Sequence, residues 1–236
     1  MIKLEKTDVF GWESAIRGMR NPMNSWDKSD SDFSDNCYNQ EQEGECTNCK
    51  YFDGYGHKCI PYIGKNDIKL MKNLSKAGND HAKYLRMINV TVDITAPLYW
   101  WKEFDTYKVG TVANSCSTMH KITSKPIELS DFSIDDFDIG DDYNEIALED
   151  MFINVVADCE SLRQKYLETK DKRYWKGLIQ LLPTAYNQKR TVQLNYQVLK
   201  NMYFSRRNHK LNEWHDFCEW CDKLPYFKEI CIEVNK

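Results

Sequence analysis

No stretch of the 236-residue sequence approaches the roughly 18 consecutive apolar residues that a membrane-spanning helix needs, which argues against an integral membrane protein. The opening residues MIKLEKTDVFGW lack an apolar core, so no secretory signal is read there and the expected localisation is cytoplasmic. Basic residues are not in excess either. Lys and Arg number 32 against 36 Asp and Glu, and this balance of −4 argues against a protein that coats nucleic acid through uniform basicity. There is no internal repeat. What the chain does have is 42% hydrophobic residues, too many for a disordered segment, and 13% aromatic ones. The length suits one domain with a sizeable core and at most one large insertion.

Charge is spread unevenly. Residues 126–150 hold ten carboxylates, from Glu128 to Asp150, and no Lys or Arg, leaving 26 acidic against 32 basic residues elsewhere, a balance of +6. An anionic ligand would find its attractive field outside this stretch. The stretch itself reads as a solvated acidic loop, without the alternating carboxylates, Gly and closing Glu of a calcium loop. Cysteine is plentiful, at nine, and the default state is a free thiol. Cys37, Cys46, Cys49 and Cys59 crowd a polar segment as C-x8-C-x2-C-x9-C, with His57 nearby. One C-x2-C knuckle and two outlying thiols can enclose a tetrahedral Zn, whereas a complete zinc ribbon shows two knuckles, so structural metal and plain thiols both stay open. Cys218 and Cys221 lie in a Trp- and Phe-rich helical segment and read as core thiols.

Along the chain, Ile2 and Leu4 begin a short strand, followed by a helical segment ending near Arg17 and Arg20. Residues 21–62, rich in Asn, Asp, Ser, Gly and Cys, read as loop, with a Cys-rich insertion over 28–62. Ile68, Leu70, Met71, Leu74 and Ala77 give a helical stripe that stops at Gly78. MINVTVDIT (87–95) alternates as a strand, Pro97 ends it, and LYWWKEFDTYK reads as a buried helix. After the acidic loop, Phe152, Val155, Val156, Cys159, Leu162 and Tyr166 trace a long amphipathic helix. A second helix ends at Leu182-Pro183, a third covers about 189–206 and a fourth about 209–223. The order predicts an α+β fold, helix-dominated with a small sheet, since the strands are too few for a doubly wound one.

The densest run of polar chemistry is Lys102 to Thr118, where Lys102, Glu103, Tyr107, Lys108, Thr111 and Cys116 stand at close spacing. By spacing alone it also fits a solvated helix end with a Ser/Thr-rich loop. The wider segment, VTVDITAPLYWWKEFDTYKVGTVANSCSTM (90–119), resembles the flavin-dependent thymidylate synthases. Their signature is a strand, an Ala-Pro, an aromatic-rich helix with an Arg-Gln pair, and then R-H-R-x-x-S-x-N-x-x-S-x-R. Laid on without gaps, Thr91 takes the strand hydroxyl that touches flavin, Ala96-Pro97 the Ala-Pro, and Lys102-Glu103 the Arg-Gln pair. Thr106, Tyr107 and Lys108 take the R-H-R places, Thr111 the first Ser, Ala113 the Asn, Cys116 the second Ser and Thr118 the final Arg. Downstream, Leu182-Pro183 matches the family's Leu-Pro, and Asn195, Asn201 and Arg206 keep the N-x5-N-x4-R spacing of its flavin- and nucleotide-contacting helix. Trp214 stands one residue later than the family's Trp, which leaves Arg206 and Arg207 both open for the arginine's role. About 65–125 and 175–215 are covered, with a weaker match over 1–20.

The resemblance implies one flavin-dependent thymidylate synthase-like domain over 1–236, assembled as a homotetramer with shared active sites. It implies FAD and a pyrimidine deoxynucleotide as ligands, with a methylene passed from methylenetetrahydrofolate to the uracil ring of dUMP and NADPH as reductant. It assigns Thr91, Tyr107, Asn195 and Asn201 to FAD, and Lys102, Glu103, Lys108, Thr111 and Arg206 to the nucleotide. Lys108 and Cys116 fall to catalysis; the Cys116 thiol is either a nucleophile or an inert, buried apolar group. The family's arginines, however, read Thr106, Lys108, Thr118 and Ile179 here. Arg offers a bidentate, permanently charged fork that Thr cannot replace and Lys replaces only as a point charge. Each lost phosphate contact costs about 1.5–3 kcal/mol. Two classes therefore stay open: a flavin-dependent methyltransferase on a pyrimidine nucleotide, and a catalytically silent descendant that binds a nucleotide, nucleic acid or protein partner. Arg17, Arg20, Lys189 and Arg190 are the other cations open to a phosphate.

Overall fold

The computed structural model describes residues 2–33, 61–135 and 148–235, so Cys37, Cys46, Cys49, Cys59 and most of the acidic loop lie outside the described residues. Strands β1 (Lys3–Phe10), β2 (Asn89–Pro97), β3 (Val112–Ser115) and β4 (Asn187–Asn195) form an antiparallel sheet in the order β1-β2-β4-β3. Along β2, Val90, Val92, Ile94 and Ala96 are buried, while Thr91, Asp93 and Thr95 lie half-buried on the other face. β-branched residues at alternate positions suit the pleated surface, and this strand agrees with the one predicted over 87–95.

Two elements differ from the sequence reading. The helix expected over about 189–206 is a strand followed by a helix, α7 (Tyr196–Arg206). Asn195 marks the change: its Oδ1 accepts the Val198 backbone N–H at 3.1 Å as an N-cap. Before it, Val192 and Leu194 alternate inward at period two; after it, Leu199 and Met202 continue the core at helical spacing. The second difference is β3, hidden in the polar run. All four of its residues are exposed, so no buried alternation betrays a strand.

Contacts divide the chain into two compact units, the first of residues 1–3, 94–106 and 114–191, the second of 4–93, 107–113 and 192–236. The first holds α3 (Leu98–Phe104), α4 (Thr118–Lys121), α5 (Leu148–Thr169) and α6 (Lys172–Leu181). Ile122, Ile127, Phe132, Val156, Cys159 and Leu178 close its core. Trp100, Trp101 and Phe104 are buried as expected, but α3 stops at Phe104. The next residue, Asp105, binds the Arg190 guanidinium at 2.7 Å, which lies 4.1 Å over the Trp101 ring. Glu160 on α5 accepts from Arg163 twice at 2.7 Å, from the Ile127 backbone at 2.8 Å and from Gln164 at 3.0 Å. These bonds, led by Arg163, hold its carboxyl down at about 2.

The second unit holds α1 (Trp12–Arg20), α2 (Lys65–Lys76), α7 and α8 (Asn212–Lys223). Trp12 meets Tyr196 and Tyr226 edge-on at 5.5 and 5.4 Å, and the Tyr196 hydroxyl donates to the Pro225 carbonyl at 2.6 Å. Trp214, Phe217, Cys218 and Cys221 of α8 are buried, so the two thiols are core residues as read. Helix α2 buries Met71 as the stripe predicted, but with it Asp67 and Ser75, while Ile68, Leu70 and Leu74 are half-buried and Ala77 is exposed. The reason is Arg20, itself buried, whose Nε and Nη2 both reach Asp67 Oδ1 at 2.7 Å. Among the described residues no helix is long and apolar enough to cross a membrane.

Candidate functional site

The residues carrying the strongest resemblance meet in the second unit, where loop 107–111 lies on the start of α7. Gly110 has a left-handed φ of +78°, and a Cβ there would stand 3.0 Å from Val198 Cγ2 and 3.2 Å from Asn195 Nδ2. Only glycine allows both the conformation and the approach. Capping uses the Asn195 oxygen and leaves its NH₂ facing this loop.

In the first turn of α7 is a residue the sequence reading passed over. Gln197 is 6% exposed, and its Nε2 donates to Asn201 Oδ1 at 3.1 Å and towards Asn79 Oδ1 at 3.4 Å. Its Oε1 is buried without a hydrogen-bond partner among the described residues, and so is Thr111 Oγ1. A buried polar atom left unpaired costs about 1–3 kcal/mol, so such groups in a folded protein ask for a bound molecule or an ordered water. The signal for Gln197 was its place inside the Asn195–Asn201 spacing; Asn79, far off in sequence, gave none.

At the other end of α7, Arg206 Nε donates to the Tyr107 hydroxyl at 3.0 Å. Its guanidinium lies 4.9 Å from the Trp214 ring and 5.6 Å from the Tyr107 ring, and the two rings face each other edge-on at 6.4 Å. Aromatic faces favour a cation at these distances, so the two rings help to hold the guanidinium in place. Arg207 is exposed and lies 5.1 Å over Phe204, so Arg206 is the arginine that joins the loop to the helix. Lys108 is exposed, with no ion pair among the described residues.

Other sequence-derived candidates fall elsewhere. Thr91 is half-buried on β2, and no hydrogen bond links it to Asn195 or Asn201. Lys102, Glu103 and Cys116 belong to the first unit. Cys116 is exposed, which corrects the buried-thiol alternative; its backbone N–H donates to the Lys189 carbonyl at 2.9 Å, and its carbonyl accepts from Gln188 Nε2 at 2.8 Å. Arg20 and Arg190 are committed to Asp67 and Asp105, while Arg17 sits exposed 3.5 Å from Glu13. Among the described residues no group of three or more His, Cys, Asp or Glu could hold a metal.

No family profile and no curated protein matches the sequence. Among solved structures, the chain is similar to thymidylate synthase X (ThyX) from Helicobacter pylori, in a crystal structure with FAD and dUMP. The TM-score is 0.61 and the identity 15%, over the full length of both chains. A second structure of that flavin-dependent enzyme, also complexed with FAD and dUMP, gives the same two values over 98% of this chain and 99% of the other. Likeness at this identity shows a ThyX-like fold, the helix-dominated α+β architecture expected from the sequence.

Proposed function

We propose that the chain binds FAD and a pyrimidine deoxynucleotide through loop 107–111 and α7, with thymidylate synthase turnover weak or absent. The observation that carries this reading is that, of the five buried side-chain polar atoms without a hydrogen-bond partner among the described residues, two, Gln197 Oε1 and Thr111 Oγ1, lie on the two segments that resemble the family's ligand-binding motifs. Flavin and uracil rings both present N–H and C=O edges, and the groups gathered here, Asn79, Asn195, Gln197 and Asn201, are carboxamides able to pair with either. Thr91, Tyr107, Asn195 and Asn201 are the proposed FAD contacts; Lys108, Thr111 and Arg206 are those of the nucleotide. When bound, FAD would supply hydride chemistry. The chain's own part is to bind the rings, to orient them and to hold a positive charge for the phosphate.

That last part is thin. Thr106, Thr118 and Ile179 replace charged forks, and Arg20 and Arg190 are drawn into ion pairs with Asp67 and Asp105. Lys108 is exposed and Arg206 is held at Tyr107 and Trp214, which is fewer arginine forks than the family offers, and a loosely held pyrimidine loses the orientation that transfer needs. For the first unit, the assignment of Lys102 and Glu103 to the nucleotide and of Cys116 to the chemistry is proposed on resemblance, as is assembly into tetramers of identical chains. The same thinning favours the silent binder as second reading.

Thermal-shift titration with FAD and dUMP tests the proposal. We expect FAD to raise the melting point and Gln197→Ala to weaken FAD binding about tenfold. No shift at millimolar FAD removes the flavin reading. Tritium release from 5-labelled dUMP, with folate, FAD and NADPH present, is expected to stay below about one turnover per minute; a faster rate makes the chain an active synthase.

A further inference from the structure

Three cations are buried among the described residues: Arg20, Arg163 and Lys200, at 4%, 9% and 8% exposure. The first two are matched, Arg20 by Asp67 and Arg163 by Glu160, each at 2.7 Å. Lys200 has no ion pair and no side-chain hydrogen bond among the described residues. Lysine is seldom buried unless paired, because an ammonium taken out of water without a counter-charge keeps the cost of its lost hydration. The Cys231 thiol feels the Lys200 charge but supplies no anion, since burial pushes it well above its ordinary range and it stays protonated. Nor is the ammonium closed off: Lys200 Nζ does not belong to the polar atoms that are sealed from solvent without a partner. Its stem is covered and its tip opens to the surface, where an anion can reach it.

Lys200 lies on α7 three residues after Gln197 and one before Asn201, and positions three and four apart share a helix face. That face therefore carries carboxamides suited to a ring edge and, beside them, a cation without a counter-charge. We propose that Lys200 holds a phosphate of the ligand bound on α7. The inference rests on the reading of α7 as the FAD- and nucleotide-binding helix. Both ligands bring the group it needs, FAD as a diphosphate and the nucleotide as a monophosphate. An ammonium offers phosphate oxygens three N–H donors and a point charge, a charge that Thr106, Thr118 and Ile179 do not supply.

Isothermal titration of the full chain with FAD, riboflavin, dUMP and deoxyuridine tests this. We expect at least one phosphorylated ligand to bind at least about tenfold tighter than its phosphate-free counterpart, a preference that Lys200→Met reduces at least about fivefold and Lys200→Arg retains. A response in the FAD pair assigns the diphosphate; one in the dUMP pair assigns the monophosphate. Without ligand, Lys200→Met should melt no lower than the parent, since it removes a buried charge that lacks a partner. Lys200→Met and Lys200→Gln both melting more than about 5 °C below the parent would reveal a counter-charge within the chain and overturn the proposal. So does a parent without preference for the phosphorylated ligand, an unchanged preference in a folded variant, or equal weakening of phosphorylated and phosphate-free ligands. In these three cases FAD binding by the parent leaves the flavin reading standing. If the parent binds none of the four ligands, that reading fails and this inference with it.

Discussion

Replacing Asp67 with alanine tests whether Arg20 is a structural charge or a ligand-binding one. Asp67 is fully buried and Arg20 nearly so. Asp67 Oδ1 takes two bonds from the guanidinium at 2.7 Å; Oδ2 accepts from Ser29 Oγ at 2.7 Å, Ser31 Oγ at 2.6 Å and the Asp30 N–H at 3.3 Å. In Asp67→Ala, the guanidinium keeps the Ser25 and Lys28 carbonyls, at 3.0 and 2.9 Å, and the Ser25 hydroxyl at 3.4 Å, but loses the Asp67 counter-charge. Breaking one side of a buried pair costs about 3–5 kcal/mol, a large share of a stability of about 5–15 kcal/mol. For a chain of this length the melting point should fall on the order of 10 °C. Arg20→Met should cost a similar amount. The double variant Arg20→Met/Asp67→Ala should recover part of the loss, not all, because Ser29, Ser31 and the Asp30 N–H still lack their acceptor. The coupling energy from urea denaturation should therefore reach at least about 2 kcal/mol. A cost below about 1 kcal/mol for Asp67→Ala, or strictly additive single variants, would refute the assignment and return Arg20 to the cations open to phosphate.

Further outcomes follow from other sites. Glu160 is held at about 2 against its ordinary 4.5, chiefly by Arg163, so its contribution is fully present above pH 4.5 and lost as pH falls through about 2. After solvent screening it is worth about 1–2 kcal/mol, and Glu160→Gln should lose that amount at neutral pH and show a flatter acid limb in pH-dependent urea melts. Gly110→Ala must hold a left-handed conformation costing about 1–2 kcal/mol against Val198 and Asn195; calorimetry should show a melting point a few degrees lower, and FAD titration a weaker affinity. Brief alkylation of the native protein followed by peptide mapping should modify Cys116 ahead of Cys159, Cys218, Cys221 and Cys231, since those four are buried and burial pushes Cys159 and Cys218 up to about 11.

How much was legible in the sequence depended on how local each signal was. Strand β2 and the start of α3 announced themselves through alternating Val and Ile and the Ala-Pro break, and the Asn195–Asn201–Arg206 spacing placed the binding helix. Strand β4 was misread because Val192, Leu194, Tyr196, Val198 and Leu199 satisfy a period of two at one end and of 3.6 at the other. Only the Asn195 cap says where one becomes the other. Strand β3 carries no burial pattern at all. Nothing local marks Asp67 as buried, because its partner, Arg20, is 47 residues away. The open acceptor on Gln197 likewise depends on Asn79, 118 residues off. That Arg20 and Arg190 are drawn into ion pairs was equally invisible, since their partners Asp67 and Asp105 stand 47 and 85 residues away.

Flavin content tests the proposed function most directly. The full chain is mixed with excess FAD, passed through gel filtration, and the retained flavin absorbance is compared with protein concentration. We expect close to one flavin per chain, reduced in Gln197→Ala and in Gly110→Ala. Retention below about a tenth of an equivalent, with variants and parent alike, would contradict a flavin site at loop 107–111 and α7.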